Sequence, residues 1–254
     1  MDLGVTDRVY VVTGGARGLG RATAEVLVAD GARVVLSGRS QESLDGAVAA
    51  LGSSAVAVAA NNADPSTPGR LAAAAKERWG RLDGALISVG GPPRGRVSGE
   101  GANSDVQWAD AIASIFLGTI RLARELSAAM SDGGSLAFVL SVSVRQPLQD
   151  LAISNALRPG LAGVAKTLVD ELGPRGIRVN GLLPGSVATD RIRELQDAAG
   201  DDEAARAAAL SSIPLGRNGE PAEFGRAAAF LLSPAASYVN GAMLPVDGGT
   251  IRGI

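Results

Sequence analysis

Residues 13–20 read Thr13-Gly14-Gly15-Ala16-Arg17-Gly18-Leu19-Gly20, and this glycine-rich stretch decides the fold of the chain. It follows an apolar run typical of a buried strand, Arg8 to Thr13, and precedes an alanine-rich helical pattern from Gly20 to Asp30. Glycines at such a junction let the backbone approach a pyrophosphate closely, and the free N–H groups at the helix start complement its charge. The predicted dinucleotide-binding residues of this turn are Gly14, Arg17, Gly18, Leu19 and Gly20.

The alternation of short apolar runs and helical patterns continues along the chain. Further strands are predicted at Arg33 to Ser37, Val56 to Ala60, Ala85 to Val89, Leu136 to Ser141 and Arg178 to Leu183. Helices are predicted at Gln41 to Leu51, Arg70 to Trp79, Asp105 to Met130 and Pro159 to Leu172. Apolar strands separated by crossover helices indicate a parallel sheet covered on both faces. We therefore predict an α/β protein, a single-domain Rossmann fold over residues 1–254 with a doubly wound parallel sheet and helices on both faces.

Two segments interrupt this alternation. Residues 90–101 are rich in Gly, Pro and Arg and indicate a mobile loop, whereas residues 189–213 are charged, alanine-rich and helical in character. Ligands of an open parallel sheet bind beyond the carboxyl ends of its strands, where an insertion can close over them. We predict a substrate lid at residues 189–213, with the alternative that both segments are surface insertions.

Composition excludes several classes of protein. The net charge of −2 provides no field for holding a nucleic acid, and no apolar run approaches the ~18 residues of a membrane span. The first residues lack the basic and apolar regions of a signal peptide. Cysteine is absent, which fits a reducing compartment. We expect a cytoplasmic protein whose partner is a small-molecule substrate, with neither nucleic acid nor membrane involved.

Few side chains are available for acid–base chemistry. Histidine is absent, lysine occurs only at Lys76 and Lys166, and the two tyrosines are Tyr10 and Tyr238. Histidine is the usual proton shuttle near neutral pH and the commonest metal ligand, so no metal site is expected. Proton transfer must then use these few groups, a carboxylate, a hydroxyl or water.

The end of the second predicted strand indicates the type of dinucleotide. It reads Leu36-Ser37-Gly38-Arg39-Ser40, without the acidic residue that holds the ribose 2′-hydroxyl of NAD. Arg39 can form a bidentate pair with a 2′-phosphate, and Arg17 adds a second positive charge. We predict an NADP(H) site that includes Ser37 and Arg39; the alternative is a pair of solvated surface arginines.

Further motifs, in order along the chain, give a resemblance to a known family. They are Arg81-Leu82-Asp83, Ile177-Arg178-Val179-Asn180, Pro184-Gly185-Ser186-Val187-Ala188-Thr189, Ile213-Pro214-Leu215-Gly216-Arg217, Tyr238-Val239-Asn240-Gly241 and Val246-Asp247-Gly248-Gly249. With the glycine turn, they make nearly the whole chain resemble the short-chain dehydrogenases/reductases, particularly the 3-oxoacyl-carrier-protein reductase type. The resemblance implies that Pro184, Gly185, Val187 and Thr189 lie at the nicotinamide end of the cofactor, Asn61 near the adenine, and Gly90 at the end of a stretch that has lost its asparagines.

The catalytic tetrad of this family is degenerate here. The family has a serine, a tyrosine thirteen residues later and a lysine four beyond that, with a helical asparagine that supports a water relay. Ser141 matches the serine, but the tyrosine and lysine positions hold Ser154 and Arg158, and the asparagine position holds Ile115. A serine hydroxyl is far less acidic than a phenol, and arginine does not relay protons. Ser141, Ser154 and Arg158 are therefore the candidate catalytic residues of a modified mechanism.

The proline that follows Arg158 predicts a local departure from helical backbone conformation. Pro159 inside a helix would clash with the carbonyl of Asn155 and disfavour helical angles at the preceding residue. We predict that the helix begins near Pro159, with an N-cap among Asn155 to Arg158 that re-aims Arg158. Trp79 and Trp108 are expected in the core. Ser143 is a further hydroxyl that can hydrogen-bond a carbonyl. Asp150 is expected to be an exposed carboxylate near a helix start, with a protonated acid as the alternative. Gln146, Gln149 and Asn155 are expected to be ordinary loop residues, with binding of a polar substrate as the alternative.

These observations leave two main functional hypotheses. The first is an NADP(H)-dependent oxidoreductase acting on a carbonyl or alcohol by a non-standard proton path. The second is an inactive NADP(H)-binding protein, either a sensor or a partner subunit; a non-redox reaction such as elimination has no positive support. Because Phe224 to Leu232, Tyr238 and Asp247-Gly248-Gly249 resemble the family's subunit interface, we expect a homotetramer.

Overall fold

The protein is described here by a computed structural model that covers residues 2–189 and 203–253. The described residues form a seven-stranded sheet in which every paired neighbour is parallel, in the order β3-β2-β1-β4-β5-β6-β7. Its strands are β1 Val9–Thr13, β2 Arg33–Gly38, β3 Ala55–Ala59, β4 Gly84–Ile87, β5 Ser135–Val139, β6 Arg178–Pro184 and β7 Met243–Val246. The predicted parallel sheet is confirmed.

Helices connect these strands. They are α1 Gly18–Ala29, α2 Gln41–Leu51, α3 Thr67–Trp79, α4 Asp105–Ala111, α5 Gly118–Ala129, α6 Ala152–Leu172, α7 Glu203–Ser211 and α8 Pro221–Leu232. A six-residue π-helical segment, Ile112–Leu117, separates α4 from α5 and divides the helix predicted from Asp105 to Met130. Continuous apolar periodicity could not reveal this break, because a π turn shifts the helix register without changing composition.

Two hydrophobic cores lie on opposite faces of the sheet. On one face, α3, α5 and α6 pack over the strands through side chains such as Leu71, Leu122 and Leu161. On the other face, α1, α2 and α8 contribute Leu27, Leu44 and Phe224. Alternate residues of β1 divide between the two cores, as the period of two in a strand requires. This arrangement confirms the doubly wound Rossmann fold.

The two tryptophans pack as predicted. Trp79 and Trp108 are both partly buried against the core that α3, α5 and α6 cover.

The sequence patterns did not predict two elements, α8 and β7. The start of α8 carries a reciprocal capping box, Glu220 with Glu223, and a proline at its first position, which are recognisable start signals. β7 is a half-exposed edge strand that contains Pro245, so its pattern is weak.

Most of the predicted lid lies outside the described residues. Residues 203–211 of that segment form α7, and Thr189 precedes the gap. The loop of residues 90–101 is anchored near its middle, because Gly95 N–H donates to the Asp150 carbonyl at 2.8 Å and the Gly95 carbonyl accepts from Ala152 N–H at 3.0 Å. None of the helices described here has both the length and the apolar character needed to cross a membrane.

Candidate functional site

The candidate site lies at the carboxyl edge of the sheet. β1 has β2 on one side and β4 on the other, so the strand order reverses there. A crevice opens at such a switch point, and ligands of doubly wound sheets bind in it. The predicted cofactor and catalytic residues follow the ends of β1, β2, β3, β4, β5 and β6, and the fold therefore brings them to one edge.

The glycine turn after β1 leaves no space for a Cβ at Gly14, Gly15 or Gly20. Gly14 and Gly18 have φ of +62° and +58°, the left-handed region that favours glycine. A Cβ on Gly20 would lie 2.8 Å from the carbonyl carbon of Gly14 and closer still to its oxygen. Helix α1 therefore begins directly against the turn, and only glycine permits this close approach.

The start of α1 is open to an anion. Arg17 is the N-cap in an extended conformation, its side chain makes no capping hydrogen bond, and the first turn of α1 contains no acidic residue. The first N–H groups of a helix lack intrahelical partners and carry the positive end of its dipole. Gly18, Leu19 and Gly20 thus present backbone donors where the sequence predicts a pyrophosphate.

The end of β2 lies against the same turn. Ser37 is buried, and its carbonyl accepts from Gly15 N–H at 3.0 Å. Arg39 follows on the surface and, within residues 2–189 and 203–253, its side chain has no hydrogen-bond or ion-pair partner. Asn61, after β3, is exposed and uses its Oδ1 to accept from Ala63 N–H at 3.1 Å. Arg39 therefore places an exposed cation beside the end of β2.

The segment after β6 closes the other side of the turn. The Thr189 Cγ2 methyl lies 3.5 Å from the position of a Cβ on Gly18, so these two predicted cofactor residues meet. Val187 forms an isolated bridge with Gly219, supported by hydrogen bonds from Ala188 N–H to the Gly219 carbonyl and from Gly219 N–H to the Ser186 carbonyl. A Cβ on Gly185 would lie 2.8 Å from that of Asp247, which explains the glycine after Pro184.

Three serines lie close together between β5 and α6. Ser141 follows β5, is half-buried, and accepts from Ser143 N–H with its Oγ at 3.1 Å. The Oγ atoms of Ser143 and Ser154 are 3.2 Å apart and share a hydrogen bond in which either hydroxyl can donate. Ser143 and Ser154 are 3% and 7% exposed, so only Ser141 among the three is substantially accessible.

Arg158 is buried one helical turn beyond Ser154. Its Nη1 donates to the Val139 carbonyl at 2.9 Å and its Nη2 donates to the Gly90 carbonyl. These carbonyls belong to the last residue of β5 and to the chain just after β4. The planar guanidinium thus joins the carboxyl ends of two neighbouring strands, a geometry that suits its fixed fork of donors. Gly90 itself is exposed, with φ of +74°.

The prediction of a helix start at Pro159 was wrong. Helix α6 begins at Ala152, with Leu151 as its N-cap, and continues through Pro159 to Leu172. The missing proline N–H leaves one helical bond unmade, yet the helix is held on both sides by burial of Ile153, Leu161 and Ala165 and by the hydrogen bonds of Arg158. Tertiary packing overrides the local preference here, and the helical register aims Arg158.

Three other positions considered for the site are Asn155, Asp150 and Ile115. The side-chain amide of Asn155 accepts from Leu148 N–H at 2.9 Å and donates to the Leu148 carbonyl at 2.7 Å, which occupies it locally. Asp150 precedes α6 with φ of +54°, so it is not one helical turn before Ser154. Ile115 is buried in the π-helical segment, where its carbonyl accepts from Thr119 Oγ1 at 2.6 Å. The π turn therefore exists without an asparagine at that position.

Neither tyrosine replaces the missing phenol. Tyr10 lies near the amino end of β1, away from the cleft, and burial raises its pKa to about 12. Tyr238 is fully exposed in the segment that follows α8. The sequence did not predict that Ser143 would contact both Ser141 and Ser154. The Ser-x-Ser spacing was the available signal, and it acquires meaning only once α6 places Ser154 beside the short turn Val142–Val144.

Comparisons with known proteins agree with this architecture. Residues 14–250 match the family described as enoyl-(acyl carrier protein) reductase. The chain is 34% identical over 248 residues to the oxidoreductase asL5 of Sarocladium schorii, covering 96% of each chain. It is 32% identical over 244 residues to the 3-oxoacyl-(acyl-carrier-protein) reductase FabG of Salmonella typhimurium, covering 95% of this chain and 96% of that protein. The structure of L-sorbose reductase from Gluconobacter frateurii, complexed with NADPH and L-sorbose, superimposes with a TM-score of 0.92 at 27% identity over the full length of both chains.

The fold, the glycine turn and these matches together define a class. The chain belongs to the short-chain dehydrogenase/reductase family, in the group that resembles the 3-oxoacyl-(acyl-carrier-protein) reductases.

Proposed function

We propose that the chain is an NADP(H)-dependent oxidoreductase that interconverts a carbonyl and an alcohol. The observation that carries this proposal is the uncapped, acid-free start of α1, which meets the glycine turn at the edge where Ser141 is accessible. Backbone donors left without intrahelical partners at such a place suit a bound pyrophosphate.

The residues present fit this cofactor. The backbone of Gly14 and Gly20 forms a cradle that a Cβ would fill, and Arg39 stands beside it without a partner among the described residues. The residues directly after β2 are Arg39, Ser40 and Gln41, so no carboxylate stands at the strand end to bind a ribose 2′-hydroxyl. The proposed cofactor residues are Gly14, Arg17, Gly18, Leu19, Gly20, Ser37, Arg39, Asn61, Gly90, Pro184, Gly185, Val187 and Thr189. When bound, the cofactor supplies or accepts the hydride.

The activities for which similar proteins are named support this proposal. One similar structure is L-sorbose reductase complexed with NADPH and L-sorbose, and another is levodione reductase. These names agree on a reductase but differ in the substrate.

Residues of the chain orient the substrate and hold the site together. Ser141 presents its hydroxyl to the carbonyl oxygen, because its Oγ already accepts from Ser143 N–H and its proton is free to donate outward. The Ser154 hydroxyl contacts Ser143, whose N–H donates to Ser141, so Ser154 acts on Ser141 only through Ser143. Arg158 contributes a fixed positive charge and holds the ends of β4 and β5, but it does not transfer protons. The proton for the alcohol product comes from water, at a cost of ~10²–10⁴-fold relative to a positioned acid.

NADPH oxidation in the presence of a panel of ketones and aldehydes tests this function. We expect slow turnover by the wild type, with a rate that is flat between about pH 6 and 9 because hydroxyls and arginine do not titrate there. The Arg39→Ala variant should bind NADPH about 10–100-fold more weakly while its affinity for NADH is unchanged, since it removes one charge-assisted bidentate pair. Equal losses for both nucleotides would contradict the NADP(H) assignment.

A second function is favoured by one observation. The Ser154 hydroxyl and the Arg158 guanidinium are buried and bonded within the protein, which also suits a protein that binds NADP(H) without turning it over. The Ser154→Tyr, Arg158→Lys double variant distinguishes the two. Tight NADPH binding with turnover by the double variant alone would establish the binding protein, whereas turnover by the wild type establishes the enzyme.

We also infer a homotetramer from the resemblance to the family. Apolar side chains exposed on the single chain support association, among them Tyr238, Val106 and Ile112. Light scattering of the purified protein should give four times the chain mass, and a monomeric mass would refute this assembly.

A further inference from the structure

Ser143 contacts both of the other serines through different atoms. It lies in the short turn Val142–Val144, between β5 and α6, and only 3% of it is exposed. No catalytic position of the family pattern falls on it. Its backbone N–H donates to Ser141 Oγ, and its side-chain Oγ is 3.2 Å from Ser154 Oγ.

The backbone contact sets the direction of the Ser141 hydroxyl. A hydroxyl has one proton to donate and two lone pairs that accept. Because Ser143 N–H occupies one lone pair of Ser141 Oγ at 3.1 Å, the Ser141 proton is directed away from the turn. Ser141 is also the only one of the three serines that is substantially accessible. A ligand oxygen at the cleft can therefore accept from Ser141.

The side-chain contact fixes the Ser154 hydroxyl. Ser154 lies in the first turn of α6, 7% exposed, and the Ser143 hydroxyl is its side-chain partner. The alternative acceptor for the Ser143 hydroxyl, the Ser154 carbonyl, is 3.5 Å away and makes a weaker bond. Loss of the Ser143 hydroxyl would leave Ser154 free to rotate in a buried pocket, at the cost of an unsatisfied polar group.

We propose that Ser143 is a positioning residue of this site. Its main chain orients Ser141, and its side chain orients Ser154. No proton passes through Ser143 in this proposal, which rests on the proposed oxidoreductase function. The two contacts are separable, because a side-chain substitution at position 143 removes the contact with Ser154 and leaves the backbone contact with Ser141 in place.

Four variants test this role in the NADPH oxidation assay, with the carbonyl compound that the wild type reduces fastest. We expect Ser143→Ala to lower kcat by about five- to tenfold, the effect of one net hydrogen bond, with KM nearly unchanged. Ser143→Thr keeps the hydroxyl, so its kcat should stay close to that of the wild type. Ser143→Cys keeps the volume but donates weakly, so it should resemble Ser143→Ala. Ser127→Ala is the matched control, because Ser127 is also 3% exposed and donates to one backbone carbonyl, that of Arg124.

NADPH binding, followed by fluorescence, separates the outcomes. We expect all four variants to bind NADPH like the wild type, and Ser154→Ala combined with Ser143→Ala to be no slower than the slower single variant. A parallel fall of NADPH affinity and kcat, or equal effects of Ser143→Ala and Ser127→Ala, would reduce Ser143 to a packing residue. An active wild type with an unchanged Ser143→Ala variant overturns this proposal alone. A wild type that oxidises no NADPH with any carbonyl overturns the proposed function as well.

Discussion

Two regions at the same edge of the sheet use their polar groups differently. One is the glycine turn after β1, residues 13–20, and the other is the serine–arginine row formed by Ser141, Ser143, Ser154 and Arg158. At the turn, the first N–H groups of α1 have no side-chain cap and Arg39 has no partner within the described residues. In the row, Ser143 and Ser154 bond to each other, and Arg158 bonds to two carbonyls. Donors left without a protein partner indicate where a ligand belongs. The turn is therefore arranged for a large anion, while the row offers a substrate little beyond Ser141.

The largest expected effect concerns the turn. Gly20→Ala places a Cβ against the Gly14 carbonyl and should weaken NADPH binding more than 100-fold, with a stability loss of about 1–3 kcal/mol from the forced backbone shift. Gly46→Ala is the control, because a Cβ there meets nothing within 4 Å in helix α2 and should stabilise by up to about 1 kcal/mol. Fluorescence titration and urea unfolding measure both quantities. If Gly20→Ala bound NADPH with the affinity of the wild type, the glycine turn would not be the region arranged for the cofactor.

Arg158 tests the row. Arg158→Met leaves the carbonyls of Val139 and Gly90 without their donor, so we expect a loss of about 2–4 kcal/mol in the free energy of unfolding. Arg39→Met, at the same edge but exposed, should change it by less than about 0.5 kcal/mol and should instead weaken NADPH binding. If both variants were equally stable, Arg158 would not be a structural bridge and its charge would be free to serve a ligand.

Tyr10 tests whether a phenol outside the row takes part in catalysis. Its pKa is raised to about 12 in the folded chain by burial, compared with about 10 in the unfolded chain. The protonated phenol is favoured by folding, so its contribution is fully present below pH 10 and is lost between pH 10 and about 12, by about 3 kcal/mol. Tyr10→Phe should flatten this alkaline loss, Tyr238→Phe should not, and neither should change the rate between pH 6 and 9. A rate change in Tyr10→Phe would contradict the position of this phenol away from the cleft.

The smallest effect concerns the support of the segment after β6. Arg217 and Glu223 form a bidentate pair at 2.8 Å beside Gly219, which pairs with Val187, and the Arg217 guanidinium holds the pKa of Glu223 at about 2. Glu223→Gln should weaken NADPH binding by about two- to threefold, as for an exposed pair. Because the pKa of Glu223 is depressed in the folded chain, the contribution of its ion pair with Arg217 is present above about pH 4.5 and is lost as the pH falls towards 2. Glu125→Gln, an exposed partner of Arg124, is the control and should have no effect.

Sequence reasoning succeeded where local chemistry determines structure. The turn between β1 and α1 and the apolar strands of the parallel sheet were predicted correctly, because each depends on spacing along the chain or on the order of β–α units. It failed at Pro159, where the buried neighbours Ile153 and Leu161 keep the helix intact. It also missed the link from Ser143 to Ser154, because eleven residues separate them and only the packing of α6 brings the hydroxyls together.

The two hydrogen bonds of the Arg158 guanidinium also affect which substitutions this site can accept during evolution. A lysine at this position has a single nitrogen, and it cannot hold both carbonyls with the geometry of a planar group. A lineage that acquired a tyrosine at position 154 would gain little until position 158 also changed, and that change would first loosen the ends of two strands. We therefore expect single substitutions towards a tyrosine at position 154 and a lysine at position 158 to pass through less stable variants.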